Sequence, residues 1–361
     1  MIPKFDVKEL EVVRQTVPTA MMPSIDIYNY PVTPKEAVIA MMHRKPIWQT
    51  AGVESKIFAP WLLPDNVARA FVAEEKPFDP IKDGGGKDMF GIEWEYIPQV
   101  GGSMVRPGKP LLDDANEWRE KIVWPDIDSW DWEGTAKLNN DAFLESENYI
   151  NCWFQNGFYE RLISFMDFEG AAMAMIDEDQ QEAVKELFDK LADLYIRIFD
   201  KFITYFPKID GFYIHDDWGS QRETFFSPAL CAEIIVPAMR RVTDFLHSKN
   251  KCCDFHSCGQ LLKQIPNMIA AGWDSWGGQA MNDTQKIYEL YGDKIMVGVI
   301  PDLLDPETST EEEQRAAARD FAAKFCNPQK PSYLNSYGAR TMATNAYREE
   351  LYRCSRENYS K

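Results

Sequence analysis

The chain has 361 residues, 45% of them hydrophobic, which suits one large barrel or two ordinary domains and excludes extended disorder for most of its length. Its 39 lysines and arginines against 57 aspartates and glutamates leave a net charge of -18, a surface that repels phosphate backbones and anionic lipid and so argues against a nucleic-acid partner. Seven scattered cysteines do not make a disulfide framework, and neither an apolar run of membrane-spanning length nor a signal-peptide pattern is visible, so the expectation is a cytoplasmic protein with no membrane partner.

Residues 1–32 carry mixed charge, prolines and no sustained period, and read as an arm lying on the body or on a second subunit of a homodimer. Thr33-Pro34-Lys35-Glu36 has capping-box spacing and opens a predicted helix to residue 44. A first strand is predicted at 46–50 and a helix at 66–73. The run Asp83-Gly84-Gly85-Gly86-Lys87 lacks the Gly-Lys-Ser/Thr ending of a phosphate loop and reads as a turn before a hairpin, 89–97 with 101–105. Residues 126–132 read as a covering loop. The strand predicted at 149–154 ends in Gln155-Asn156-Gly157, with a helix following through Tyr159, Glu160, Arg161 and Leu162.

After Asp177, Val184, Leu187, Leu191, Leu194, Ile198 and Phe202 recur at helical spacing, a core stripe rather than a cofactor box. The strand predicted at 209–214 runs into His215-Asp216-Asp217-Trp218-Gly219-Ser220-Gln221, and Ser227-Pro228 starts the next helix. Strand and helix then alternate through 252–256, 273–276, 294–300 and 333–338. Some eight strand-helix units without a linker predict a (β/α)₈ TIM barrel over residues 33–361, preceded by the arm. An open doubly wound sheet is the other arrangement, but no Gly-x-Gly-x-x-Gly follows the first strand.

In such a barrel the site lies at the C-terminal ends of the strands. Gln155, Asn156, His215, Asp216, Asp217, His256, Cys258, Gln279, Asp302 and Tyr337 stand at the predicted ends. On a strand, side chains two apart point the same way, so His256 and Cys258 project together. Imidazole and thiolate are preferred zinc ligands, and the pair reads either as half of a metal site or as a buried histidine beside an inert cysteine. Trp153, Trp218, Trp273 and Trp276 near strand ends are either core packing or faces for an aromatic ligand.

The order His215-Asp216-Asp217-Trp218-Gly219-Ser220-Gln221, Ser227-Pro228, His256-Ser257-Cys258-Gly259 resembles the uroporphyrinogen decarboxylase superfamily, whose members carry Asp-Asp-x-Gly-x-Gln and a later His-x-Cys-Gly on a (β/α)₈ barrel. The resemblance is close over the second half and extends to the first only in layout. The decarboxylase branch uses an arginine near the first strand, whereas residues 48–53 here contain none. The chain is more similar to the corrinoid-dependent methyltransferases, and among them to those that demethylate aryl methyl ethers, such as the veratrol:corrinoid protein methyltransferases.

That resemblance implies methyl transfer from a methoxylated aromatic to the cobalt of a separate corrinoid protein. It implies zinc on His256 and Cys258; from their places near strand ends, His215, Asp217 and Tyr337 are expected to be catalytic and Trp153, Asn156, Trp218 and Gln221 to contact substrate. The branch's third zinc-binding cysteine is missing, since Ser336-Tyr337-Gly338 stands there. Either a carboxylate such as Asp217 or Glu160 completes the metal site or no metal is bound. A decarboxylase-like lyase acting on a small carboxylate and a non-catalytic binding barrel are the competing expectations.

Overall fold

The computed structural model describes residues 4–17, 24–302, 304–305, 307–335 and 344–360. The chain divides into two compact units, one made of Ile57–Ser146 with Ile150–Trp273, the other of Met1–Lys56, Glu147–Tyr149 and Asp274–Lys361.

In the first unit three parallel strands, Tyr149–Phe154, Gly211–His215 and Cys252–His256, lie side by side in chain order. They are apolar and buried along nearly their whole length, as strands covered on both faces must be. Their register sets His215 directly opposite His256. Helices Tyr159–Ile176 and Gln181–Tyr205 join the first strand to the second. The longer one buries Val184, Leu187, Leu191, Ile198 and Phe202 along the stripe the spacing predicts. Pro228–Ile234, capped by the Ser227 side chain, and Val236–Ser248 join the second strand to the third. The predicted hairpin is a three-stranded antiparallel sheet of Gly86–Lys87, Glu93–Ile97 and Gly102–Val105.

The second unit repeats the parallel pattern with Ser275–Gly277, Met296–Val299 and Tyr333–Leu334, alternating with helices Thr284–Tyr291 and Glu311–Phe325. The fold is mixed α/β, with parallel strands flanked by helices in the manner of a barrel. Residues read as an arm form a short antiparallel pair, Val12–Gln15 with Asp26–Tyr28, and Glu9 accepts hydrogen bonds from Arg356 and Tyr352 of the C-terminal helix Asn345–Tyr359. No strand forms at 46–50. There the Gln49 N–H donates to the Ser355 hydroxyl and the Ile47 carbonyl accepts from Arg356, so side chains take up backbone groups that a ladder would use. The expected loop at 126–132 leads into a helix, Trp132–Asn139, capped by Asp131. No helix among the described residues is long and apolar enough to cross a membrane.

Three ion pairs, two of them sharing Arg161, lock the first unit. Helix Pro64–Ala68 carries Asp65, and Arg69 follows at its C-cap, one turn on. Glu160 and Arg161 are consecutive in the first turn of Tyr159–Ile176. Arg161 pairs with Asp65 and also donates to Asp88 at 2.6 Å, and all three side chains are fully buried. Arg69 pairs with Glu160 at 3.0 Å. Asp88 additionally accepts the indole N–H of Trp94, which ties the antiparallel sheet to the same helix. Replacing Arg161 by leucine leaves two buried carboxylates without a cation. Arg161→Leu is expected to cost about 3–5 kcal/mol in urea unfolding, and a loss below about 1 kcal/mol would contradict this account of the lock.

Candidate functional site

The site sits where the three parallel strands of the first unit end. Leaving the Gly211–His215 strand, the chain places His215 at the tip and Asp216 and Asp217 in the turn. The adjacent aspartates then serve different ends. Asp216 is fully buried and accepts from the N–H groups of Phe158, Tyr159 and Glu160 and from the Trp218 indole. It thus satisfies the first amides of the Tyr159–Ile176 helix and fixes where Glu160 begins. Asp217 instead faces a cavity and accepts the Cys258 N–H at 2.6 Å.

The two motif loops cross at their glycines. Gly259 has φ +99, and a Cβ on it would lie 2.3 Å from the Gly219 carbonyl. Only glycine permits this approach. Gln260 N–H donates to the Ser220 carbonyl and Trp218 N–H to the Ser257 hydroxyl, completing the crossing. The loops carry Asp217 and Cys258, so the crossing brings those two side chains together.

Four candidate ligand atoms result, one each from His215, Asp217, His256 and Cys258, all within 4.8 Å of one another. The imidazoles stack with centroids 4.7 Å apart and planes at 15°. His215 Nδ1 is 2.6 Å from Glu160 Oε2, which leaves Nε2 toward Asp217 Oδ1 at 3.6 Å. His256 Nδ1 bonds the Tyr213 hydroxyl at 3.0 Å, and its Nε2 is 3.3 Å from Cys258 Sγ. Tetrahedral zinc with bonds of 2.0–2.3 Å holds its ligand atoms roughly 3.3–3.8 Å apart. Both pairs already have that separation. Two imidazole nitrogens whose other nitrogen is hydrogen-bonded, a carboxylate and a thiol form a donor set that fits zinc.

The charges differ across the cluster. Burial and the neighbouring His215 push the pKa of His256 down to about 3, so the ring is neutral. Burial, with Asp217 nearby, pushes the Cys258 thiol well above its ordinary range. Burial and Glu160 likewise raise Asp217. Burial opposes charge on Glu160, but Arg69 and His215 outweigh it and hold that carboxyl at about 2. Burial also opposes charge on His215, yet Glu160 and Asp217 leave its pKa raised. A divalent cation at this point would offset the burial that disfavours charge on Cys258 and Asp217.

His215, Asp217, Glu160 and Arg69 line one side of a cavity of about 680 Å³. Its other walls are apolar and aromatic, with Phe71, Trp94, Trp153 and Phe168 among them. Trp153 packs on Phe71 at 4.7 Å and lies about parallel to His215, 6.0 Å away at 26°. Phe168 follows Asp167, whose φ of 57 breaks the Tyr159–Ile176 helix and whose carboxylate accepts the Gly108 N–H.

Of the residues singled out in the sequence, His215, Asp217, His256, Cys258 and Trp153 are thus brought together. Trp218 is fully buried on Phe255 and bonded to Asp216, away from the cavity. Asn156 is buried too, at φ 63, and donates to Asp65 in the ion-pair lock. Gln221 is exposed on the turn. Tyr337 lies outside the described residues. Arg69 and Tyr213 carried no motif; Asp65 and Arg69 spaced one turn apart, with Glu160-Arg161 later, are the only sequence trace of the lock.

No protein-family model matches the chain, and no curated protein matches it. Among solved structures, a methyltransferase from Methanosarcina mazei superposes with a TM-score of 0.57 at 14% sequence identity, covering 89% of this chain and 98% of that one. The likeness is one of fold.

In the metal-free protein, the unfolded chain takes up a proton at His256 near the ordinary imidazole value, and the folded chain only near pH 3. Folding therefore gains stability as pH rises through that window and loses it as pH falls. His256→Gln should flatten this acid limb in urea unfolding between about pH 4 and about pH 7, and an unchanged slope would contradict the assignment.

Proposed function

We propose that the protein is a methyltransferase that moves a methyl group from a methoxylated aromatic to the reduced cobalt of a separate corrinoid protein. The observation that carries this reading is the four-donor cluster, two of whose members, His215 and Asp217, line an aromatic-walled cavity. The methyltransferase fold neighbour supports the class, and the lack of arginine in residues 48–53 with the net charge of -18 favours the methyltransferase branch over the decarboxylases.

His256 and Cys258 would hold zinc, with His215 and Asp217, the cavity-lining pair, completing the set. Asp217 is the carboxylate in place of the missing cysteine. When bound, zinc supplies a Lewis acid that draws off charge developing on the ether oxygen. Phe71, Trp94 and Trp153 offer ring faces for the arene. In the transfer, the methyl C–O bond breaks with its electron pair staying on oxygen, and cobalt supplies the pair for the new bond. The phenolate so formed takes a proton, for which Tyr337 is the donor proposed from sequence.

Exposed Val100, Met104 and Phe168, at 65%, 57% and 48%, also line this cavity. They give a docking corrinoid protein an apolar rim with which to exclude water. A lyase acting on a small carboxylate is less well served. Arg69, the one lysine or arginine among the described residues of the lining, is already paired with Glu160 and bonded to Gln155.

The test combines zinc analysis with an assay of methoxybenzenes and a reduced corrinoid protein. Wild type should carry about one zinc and release a phenol as the corrinoid is methylated. His256→Ala/Cys258→Ala should lose the zinc and at least about a thousandfold in rate, equivalent to about 4 kcal/mol of transition-state stabilisation. Undiminished transfer in that variant, or carbon dioxide as the product with no methylated corrinoid, would overturn the reading.

A further inference from the structure

We propose that Glu160, clamped by Arg69, is a positioning residue that decides which ring nitrogen His215 presents to the metal-binding cluster. The inference rests on the zinc reading above and extends it to two residues that carry no motif.

A neutral imidazole has one nitrogen that donates and one that accepts, and only the accepting one can bind a metal. An ionised carboxylate only accepts. Glu160 Oε2 lies 2.6 Å from His215 Nδ1, so Nδ1 must carry a hydrogen, and in the neutral ring that binds a metal the lone pair is left on Nε2. Nε2 is the atom on the Asp217 side. The geometry would fail if the carboxylate could turn away. Arg69 prevents this by donating from Nη2 to both Glu160 oxygens at 3.0 and 3.2 Å, while its Nε donates to Gln155 at 3.0 Å. Arg69 Nη2 and His215 Nδ1, 3.3 Å apart, are thus two donors converging on one carboxylate. The Glu160 backbone is held as well, because its N–H donates to Asp216 at 2.8 Å.

The two imidazoles are held unequally. His256 Nδ1 faces the Tyr213 hydroxyl, which can donate or accept and so does not dictate the tautomer. His215 faces a carboxylate, which does. A carboxylate behind a ligating imidazole also raises the ring's strength as a donor. His215 is therefore the ligand whose orientation depends most on its support.

Zinc affinity by chelator competition at one fixed pH, with the visible spectrum of the Co²⁺-substituted protein, separates this role from that of an ordinary ion pair. Glu160→Leu removes the acceptor and should weaken zinc binding about 10–100-fold. Its Co²⁺ form should keep the thiolate charge-transfer band of Cys258 but show altered d–d bands. Glu160→Gln keeps an acceptor oxygen and should stay within about tenfold of wild type. Arg69→Met, which frees the carboxylate, should weaken binding measurably with Glu160 intact, and it decides the matter if Glu160→Leu does not fold. If Glu160→Leu and Arg69→Met bind zinc as wild type does and only their unfolding midpoints fall, the pair is structural and this inference fails while the zinc reading stands. If wild type itself binds neither zinc nor Co²⁺, both fail.

Discussion

The first unit depends on a pair of opposed charges read twice. Asp65 and Arg69, one helical turn apart, meet Arg161 and Glu160, adjacent in the first turn of another helix. The inner pair is fully buried and includes Asp88, so its strength comes from the absence of competing water and its cost from the same source. The outer pair borders the cavity and reaches His215. A slip of the short helix would break both pairs at once. The inner pair thereby holds the outer one in register, and the outer one holds a candidate ligand.

The crossing of the two motif loops is the second constraint. A strand end can present His215, and its parallel neighbour can present His256 beside it, because the register sets them opposite. Bringing Asp217 and Cys258 to the same point requires the following turns to touch, backbone on backbone, at Gly219 and Gly259. Gly259 is required there because a side chain on it would collide with the Gly219 backbone.

Much of this was readable in the sequence. The alternation of strand and helix, the antiparallel excursion and the stripe on helix Gln181–Tyr205 all follow from periodicity, which records burial directly. The nearness of His256 and Cys258 was readable from their spacing, although the strand ends at His256 and the turn that follows is what places Cys258. The respective fates of Asp216 and Asp217 were not, since adjacent carboxylates look alike until the amides they face are known. Trp218 and Asn156 stand at strand ends, as binding residues do, yet turn inward to Asp216 and Asp65. Arg69 was hidden because its partners lie 86 and 91 positions along the chain, and no local pattern spans that distance. The absent strand at 46–50 failed for a similar reason, its backbone partners being side chains near the C-terminus.

In the proposed function, His215, Asp217, His256 and Cys258 together bind one zinc ion. X-ray absorption fine structure of the zinc-loaded protein tests it most directly, because sulfur and lighter ligands separate by distance. The prediction is a single sulfur at about 2.3 Å with nitrogen and oxygen ligands at about 2.0–2.1 Å, and loss of the sulfur shell in Cys258→Ser. A shell of two or more sulfurs, or of none, would contradict the assignment, for the cluster offers one thiol.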